Sequence, residues 1–506
     1  MSRGRRGERR NLRAVAIFWS AALLAGLVGC SSVSAVAPGT FGAKAARPLR
    51  LSPCAIEGVW EKLRCGTMIV PENRSSRGGR QLSLRVIVIP ARNRNPDPAP
   101  IFIFAGGPGE AATSYAADLV ASWERENNAV VLVDQRGTGD GNRLHCPYPR
   151  AGDAQTYLPD VFEDRSFWKA CAHRLSATAD LRQYATPTAV KDVEDVRRAL
   201  GAPKIHVMGG SYGSRAAMVY MRMFPRNVAS AFLSGLVPLS IRSPLHHPAS
   251  AQRAFDLMLA DCQQDAVCRR TYPDPGSDLQ LVLAQLSQRP VQVRAEHPGT
   301  GAPVTVTLTR DGFAEGLRAM LYSAANARRI PLLLQRARAS DFQEIANLQL
   351  RWGYSIRGEY SVAMGLSANC TEDTARITAE DLERESRGSF VGSPLVRLKM
   401  DVCSLWPRAH LPANHFEPFK LGIPTLLVSA NYDPITPPRW GVEAQRNFPN
   451  SVHVIIPAGH SIPENECFNN LGRQLLRTLA PRSIDTSCVS SMTVPPFPLP
   501  GNEPAS

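Results

Sequence analysis

The stretch KIHVMGGSYGSRAAMVYMRMFP, Lys204 to Pro225, sets one serine between glycines at the join of two unlike segments. The run before it, IHVMGG, has the length and apolar content of a buried strand, and the run after it is helix-forming. Ser211 therefore sits on a strand-to-helix turn, with Gly209 and Gly213 two residues to either side. A turn this sharp has no room for side chains at those two places. It also forces strained dihedrals on the serine and lifts its Oγ clear of the sheet at a helix N-terminus, where the dipole favours developing negative charge.

The surrounding sequence supplies the sheet that such a turn needs. LSLRVIVIPA, PIFIFAG, AVVLVDQRG, IHVMGG and ASAFLSGLVP are short aliphatic runs, several ending at glycine, and read as strands. Between them TAVKDVEDVRRALG places Val190, Val193, Val196 and Leu200 at helical spacing, with Gly201 as a stop. Strands alternating with helices predict an α/β fold with a mostly parallel central sheet and helices on both faces. From 240 to 411 the pattern turns helical and convincing strand runs are few, so this part reads as a helical cap inserted into the sheet. Strands return with IPTLLVSANYDPITPP and SVHVIIPAGHS. The expected organisation is a core of 54–239, a cap of 240–411, a second core portion of 412–490 and a proline-rich, disordered tail of 491–506.

The N-terminus stands apart. Its first 13 residues hold six arginines and one glutamate, and Ala14 to Val28 follows without a charge. That apolar run is short for a bilayer span but suits a secretory signal. It ends in Leu27-Val28-Gly29-Cys30, which resembles a lipobox and predicts a signal peptide of 1–29, lipidation at Cys30 and a linker of 30–53. Such a protein is exported, as a periplasmic or outer-membrane lipoprotein, or secreted outright. Ten further cysteines, an even number, fit disulfides in an oxidising compartment, and pairing of sequence neighbours is the simplest expectation. There is no CxxC or HExxH, so no metal site is expected. The formal charge of +14 falls to +9 without the leader and forms no basic block, which argues against nucleic acid as a partner.

A serine becomes a nucleophile only when a base takes its proton and a third group orients that base. Asp433 follows TLLVSA in NYDPITP, and His460 follows VHVIIP in AGHS. Both come after strands, in the order serine, acid, histidine, at loop positions that converge on the carboxyl edge of a sheet. An oxyanion would need two backbone donors. Tyr212, just after the serine, is one; Gly107 in FIFAGGPGEA is the other, since glycine lets a substrate approach the chain.

The ordered set AGGPG, DQRGTG, GGSYG, NYDPITP and GH resembles the α/β-hydrolase peptidases grouped as prolyl aminopeptidases and tripeptidyl aminopeptidases, over about Cys54 to Cys488. The resemblance implies the α/β-hydrolase fold, catalysis by Ser211, Asp433 and His460, an oxyanion hole at Gly107 and Tyr212, no cofactor, and peptide substrates with a free N-terminus. Ala105 departs from it, since prolyl aminopeptidases usually carry histidine there. In this family a cap carboxylate would take the substrate's ammonium, and the run ANCTED offers Glu372 or, second, Asp373. Asp134 and Arg136 in DQRGTG read as braces beneath the site. An esterase on the same fold, or a binding lipoprotein that has lost the chemistry, are the rival readings.

Overall fold

The computed structural model describes residues 49–501 apart from 77, 148–151 and 159–164. The chain first lays down β1 (Ser52–Cys54), β2 (Leu63–Pro71), β3 (Gln81–Ile89), β4 (Ile101–Phe104), β5 (Val130–Val133), β6 (Ile205–Gly210) and β7 (Val228–Ser234). A separate hairpin, β8 (Val291–Glu296) and β9 (Pro303–Leu308), lies among the later helices, and β10 (Thr425–Ala430) and β11 (Ser451–Ile456) complete the main sheet. Among the described residues that sheet has nine strands in the order β1-β2-β3-β5-β4-β6-β7-β10-β11. It is antiparallel from β1 to β5 and parallel from β5 onward. This is the α/β-hydrolase fold.

The parallel strands form because both their faces are covered. Every residue of β5 and of β10 is buried, as uninterrupted aliphatic runs require. Full burial of Leu426, Leu427 and Val428 contributes roughly 2 kcal/mol each. The helix Thr186–Ala199 packs Val190 and Val196 inward on one face, next to the helix Tyr212–Met223 that leaves the serine turn.

Between β7 and β10 the chain is mainly helical, from His247–Gln264 to Pro394–Leu405, around a core of its own that includes Phe255, Phe313, Leu334 and Ala346. The run 310–339 forms two helices, Arg310–Met320 and Ala324–Arg338, broken at Tyr322 and Ser323. The β8–β9 hairpin was not expected from the sequence: VQVRAE and PVTVTL alternate apolar and polar residues, so only one face of each is buried. Five disulfides join sequence neighbours, Cys54–Cys65, Cys146–Cys171, Cys262–Cys268, Cys370–Cys403 and Cys467–Cys488, the pairing expected.

The proline-rich end is not a loose tail as far as Gly501. The Phe497 ring lies 4.4 Å from the Arg328 guanidinium, and Tyr272 donates its hydroxyl to the Pro498 carbonyl at 2.7 Å. The leader, Cys30 and the greater part of the linker lie outside the described residues. Among the described residues no helix is long and apolar enough to cross a membrane.

Candidate active site

Ser211 holds φ 55° and ψ −129°, left-handed strain that a non-glycine residue adopts only when its surroundings impose it. The imposing parts are on both sides. A methyl on Gly213 would stand 2.0 Å from the Phe104 carbonyl oxygen, and one on Gly209 would stand 2.5 Å from that of Gly213. The Ser211 N–H donates to Ser234 O on β7 at 3.1 Å, which ties the turn to the sheet.

Asp433 follows β10 and is fully buried. Its Oδ1 accepts from the backbone N–H groups of Ile435 and Thr436, both at 2.7 Å. Its Oδ2 accepts from the Thr436 hydroxyl at 2.6 Å and from His460 Nδ1 at 2.7 Å. Burial opposes ionisation of this carboxyl, but the imidazole and the Thr436 donors outweigh it and hold Asp433 below the usual range. With Nδ1 committed to the carboxylate, Nε2 is the nitrogen left to accept a proton.

His460 follows β11 and is clasped by the cap. The Ser461 N–H donates to Tyr322 O at 2.8 Å, and the Tyr322 ring stands edge-on to the imidazole at 5.0 Å. A methyl on Gly459 would meet Tyr322 O at 2.4 Å, so this approach requires glycine. Gly235, at the end of β7 with φ 53°, sits between the two halves of the site. A methyl there would lie 3.4 Å from Ser211 N, 3.1 Å from Thr436 Oγ1 and 3.6 Å from His460 Cε1. Ser211 and His460 line one cavity of about 820 Å³, which Gly107 and Tyr212 line as well.

The cap carboxylates singled out by the sequence are placed differently. Glu372 is buried and does not line the cavity; it accepts from Thr186 N–H at 2.7 Å, with His415 Nε2 3.9 Å away on its other side. Asp373 does line it, but both its oxygens accept from Arg215, at 2.7 and 2.8 Å. The helix Val362–Glu372 ends with these carboxylates turned into the protein, where Arg215 and Thr186 wait for them. Asp134 accepts from the Thr113 N–H and hydroxyl, each at 2.9 Å, and Arg136 forks onto Asp192 at 2.7 and 2.8 Å. Both brace loops. Sequence reasoning missed Thr436, Tyr322, Gly235 and Glu110; the first and third carried a signal, as neighbours in NYDPITP and as the glycine ending a strand.

Comparison with known proteins agrees with this architecture. The family model described as "alpha/beta hydrolase fold" matches residues 99–272, and that described as "TAP-like protein" matches residues 389–488. The chain is 24% identical to the serine protease Hip1 of Mycobacterium tuberculosis over 90% of this chain and 94% of that protein. It is 26% identical to the tripeptidyl aminopeptidase of Streptomyces lividans over 35% of each, and 31% identical to the proline iminopeptidase of Neisseria gonorrhoeae over 28% of this chain and 34% of that one. Taken with a serine turn and a histidine on one cavity, the histidine bonded to a buried acid, these likenesses show an α/β hydrolase of the serine-peptidase type.

Proposed function

We propose that this protein hydrolyses peptide bonds near a free N-terminus, as an aminopeptidase or tripeptidyl aminopeptidase, through an acyl-enzyme on Ser211. The observation that carries the reading is the 2.7 Å bond between His460 Nδ1 and Asp433, on a cavity that the strained Ser211 also lines. His460 Nε2 takes the Ser211 proton as Oγ attacks the peptide carbonyl carbon. Asp433 holds the tautomer and stabilises the imidazolium that forms. The backbone N–H groups of Tyr212 and Gly107 receive the oxyanion; Tyr212 supplies the free N–H at the start of its helix. The imidazolium then protonates the departing amine. Water, deprotonated by the same nitrogen, attacks the acyl ester and returns Ser211 to its starting state. Relatives named for aminopeptidase activity support peptides as the substrate class. A lipobox-like LVGC ending at Cys30 and five disulfides support action outside the cytoplasm, with the lipid as its membrane anchor.

The test is a fluorophosphonate label together with peptidyl anilides, free and N-acetylated. Labelling that Ser211→Ala abolishes, with cleavage confined to free amines, is the expected result. Equal turnover of acetylated substrates, or a preference for simple esters, would turn the reading toward an endopeptidase or an esterase.

A further inference from the structure

With Glu372 buried away from the cavity and Asp373 held by Arg215, the substrate's amine needs another partner, and the cavity wall holds one beside the nucleophile. Glu110 follows the glycine loop AGGPG and lines the cavity. Its carboxylate accepts from the Tyr115 hydroxyl in a short hydrogen bond, and Tyr360 and the Gly106 N–H also donate to it. Those are neutral donors. Among the described residues no arginine, lysine or histidine bridges it, and its largest charge interaction is with another acid, Glu359, which lines the same cavity. Glu110 is fixed in place: it forms a β-bridge with Tyr360, whose ring packs over Gly107 so closely that a methyl there would stand 3.1 Å from it. Burial raises its pKa, as expected of an acid with no counter-ion. Two other acids of this cavity have their cations: Glu315 bonds Arg318 at 2.5 Å, and Asp373 bonds Arg215. A half-buried carboxylate with two tyrosine hydroxyls and no cation is a site waiting for one from the ligand.

Its distance from the nucleophile sets the length of the acyl group. A methyl built on Gly106 would lie 3.2 Å from Glu110 Oε2 and 3.9 Å from Ser211 Cβ, so a single loop residue separates the two. In an aminoacyl group the amine stands about 2.5 Å from its carbonyl carbon, and each further extended residue carries it roughly 3.3 to 3.6 Å farther away. We infer that Glu110 accepts the substrate's α-ammonium and that the enzyme releases one residue at a time. This rests on the exopeptidase reading above and selects the aminopeptidase form of it.

The experiment measures kcat/KM of the wild-type protein for alanyl-, alanyl-alanyl- and trialanyl-4-nitroanilide, for N-acetylalanyl-4-nitroanilide, and for 4-nitrophenyl acetate, which has no amine. The alanyl substrate is expected to be fastest. In Glu110→Gln the ratio of alanyl anilide to acetate ester should fall about 10- to 100-fold, the worth of one charge-assisted hydrogen bond. A wild-type preference for the trialanyl substrate overturns the single-residue assignment while leaving the exopeptidase reading in place. A Glu110→Gln variant that loses both substrates in equal proportion, or neither, overturns the role of Glu110. Cleavage of the acetylated anilide as fast as the free one sinks the exopeptidase reading itself.

Discussion

Glu372 gives the sharpest test of how this interior is wired. It is 1% exposed, and burial raises its pKa to about 7, against the partial opposition of Arg215 and the Thr186 N–H. Beside it His415 is driven down to about 4, by burial first and then by the arginines around it. Near pH 5 both groups are therefore neutral in the folded protein. An acid whose folded pKa exceeds its unfolded value binds its proton more tightly when folded, so stability falls as pH rises through the window between the two. From the ordinary 4.5 to about 7 the cost is about 3 kcal/mol, most of it lost between pH 5 and pH 8. Glu372→Gln keeps an amide oxygen for the Thr186 N–H and removes the titration. Urea unfolding of both proteins, disulfides intact, at pH 5 and pH 8 reads the difference directly. The wild type should lose about 2 to 3 kcal/mol more than the variant over that range, because every other titrating group is common to both. Parallel losses in the two proteins would refute the claim that Glu372 is buried as a neutral acid.

Other outcomes follow from the same geometry. Asp433→Asn should leave the fold intact and lower kcat by about 10⁴, as loss of the correct histidine tautomer does in serine proteases; circular dichroism and fluorophosphonate labelling rate check both parts. Gly213→Ala places a methyl 2.0 Å from the Phe104 carbonyl and should abolish labelling, while Gly201→Ala, at an open helix end, should not. Since burial holds Glu110 above the usual carboxylate range, kcat/KM for a free-amine substrate should show an acid-side loss that 4-nitrophenyl acetate lacks, and Glu110→Gln should remove that difference while leaving the loss common to both substrates. Phe497→Ala should lower the melting temperature by a few degrees with kcat unchanged, since the ring covers Arg328 on the cap, away from the nucleophile.

Much of this was legible in the sequence because the informative signals are local. Ser211, Asp433 and His460 each sit a few residues past an aliphatic run, and the runs become β6, β10 and β11 of one sheet, with β7 between the first two. The disulfides were legible for the same reason: each joins cysteines that no other cysteine separates in the chain. Side-chain direction was not. Glu372 and Glu110 are both acids in promising loops or helix ends, and which one faces the cavity depends on where Arg215 and Thr186 lie, more than 150 residues from Glu372. The proline-rich end looked unstructured because its composition forbids regular elements. It is held by Phe497, packed on Arg328 and neighbouring hydrophobic side chains, and by the Tyr272–Pro498 bond, contacts that leave no periodic trace.

The clasp between the cap and the histidine loop has a further consequence. The Tyr322 carbonyl takes the N–H next to His460, and its ring braces the imidazole, so the roof of the chamber and the proton-transfer group share one mount. A bulky guest that lifts the roof also pulls the imidazole off its line to the serine. On the proposed mechanism, a molecule small enough to leave the roof seated would meet the machinery in register, and a bulkier one would not.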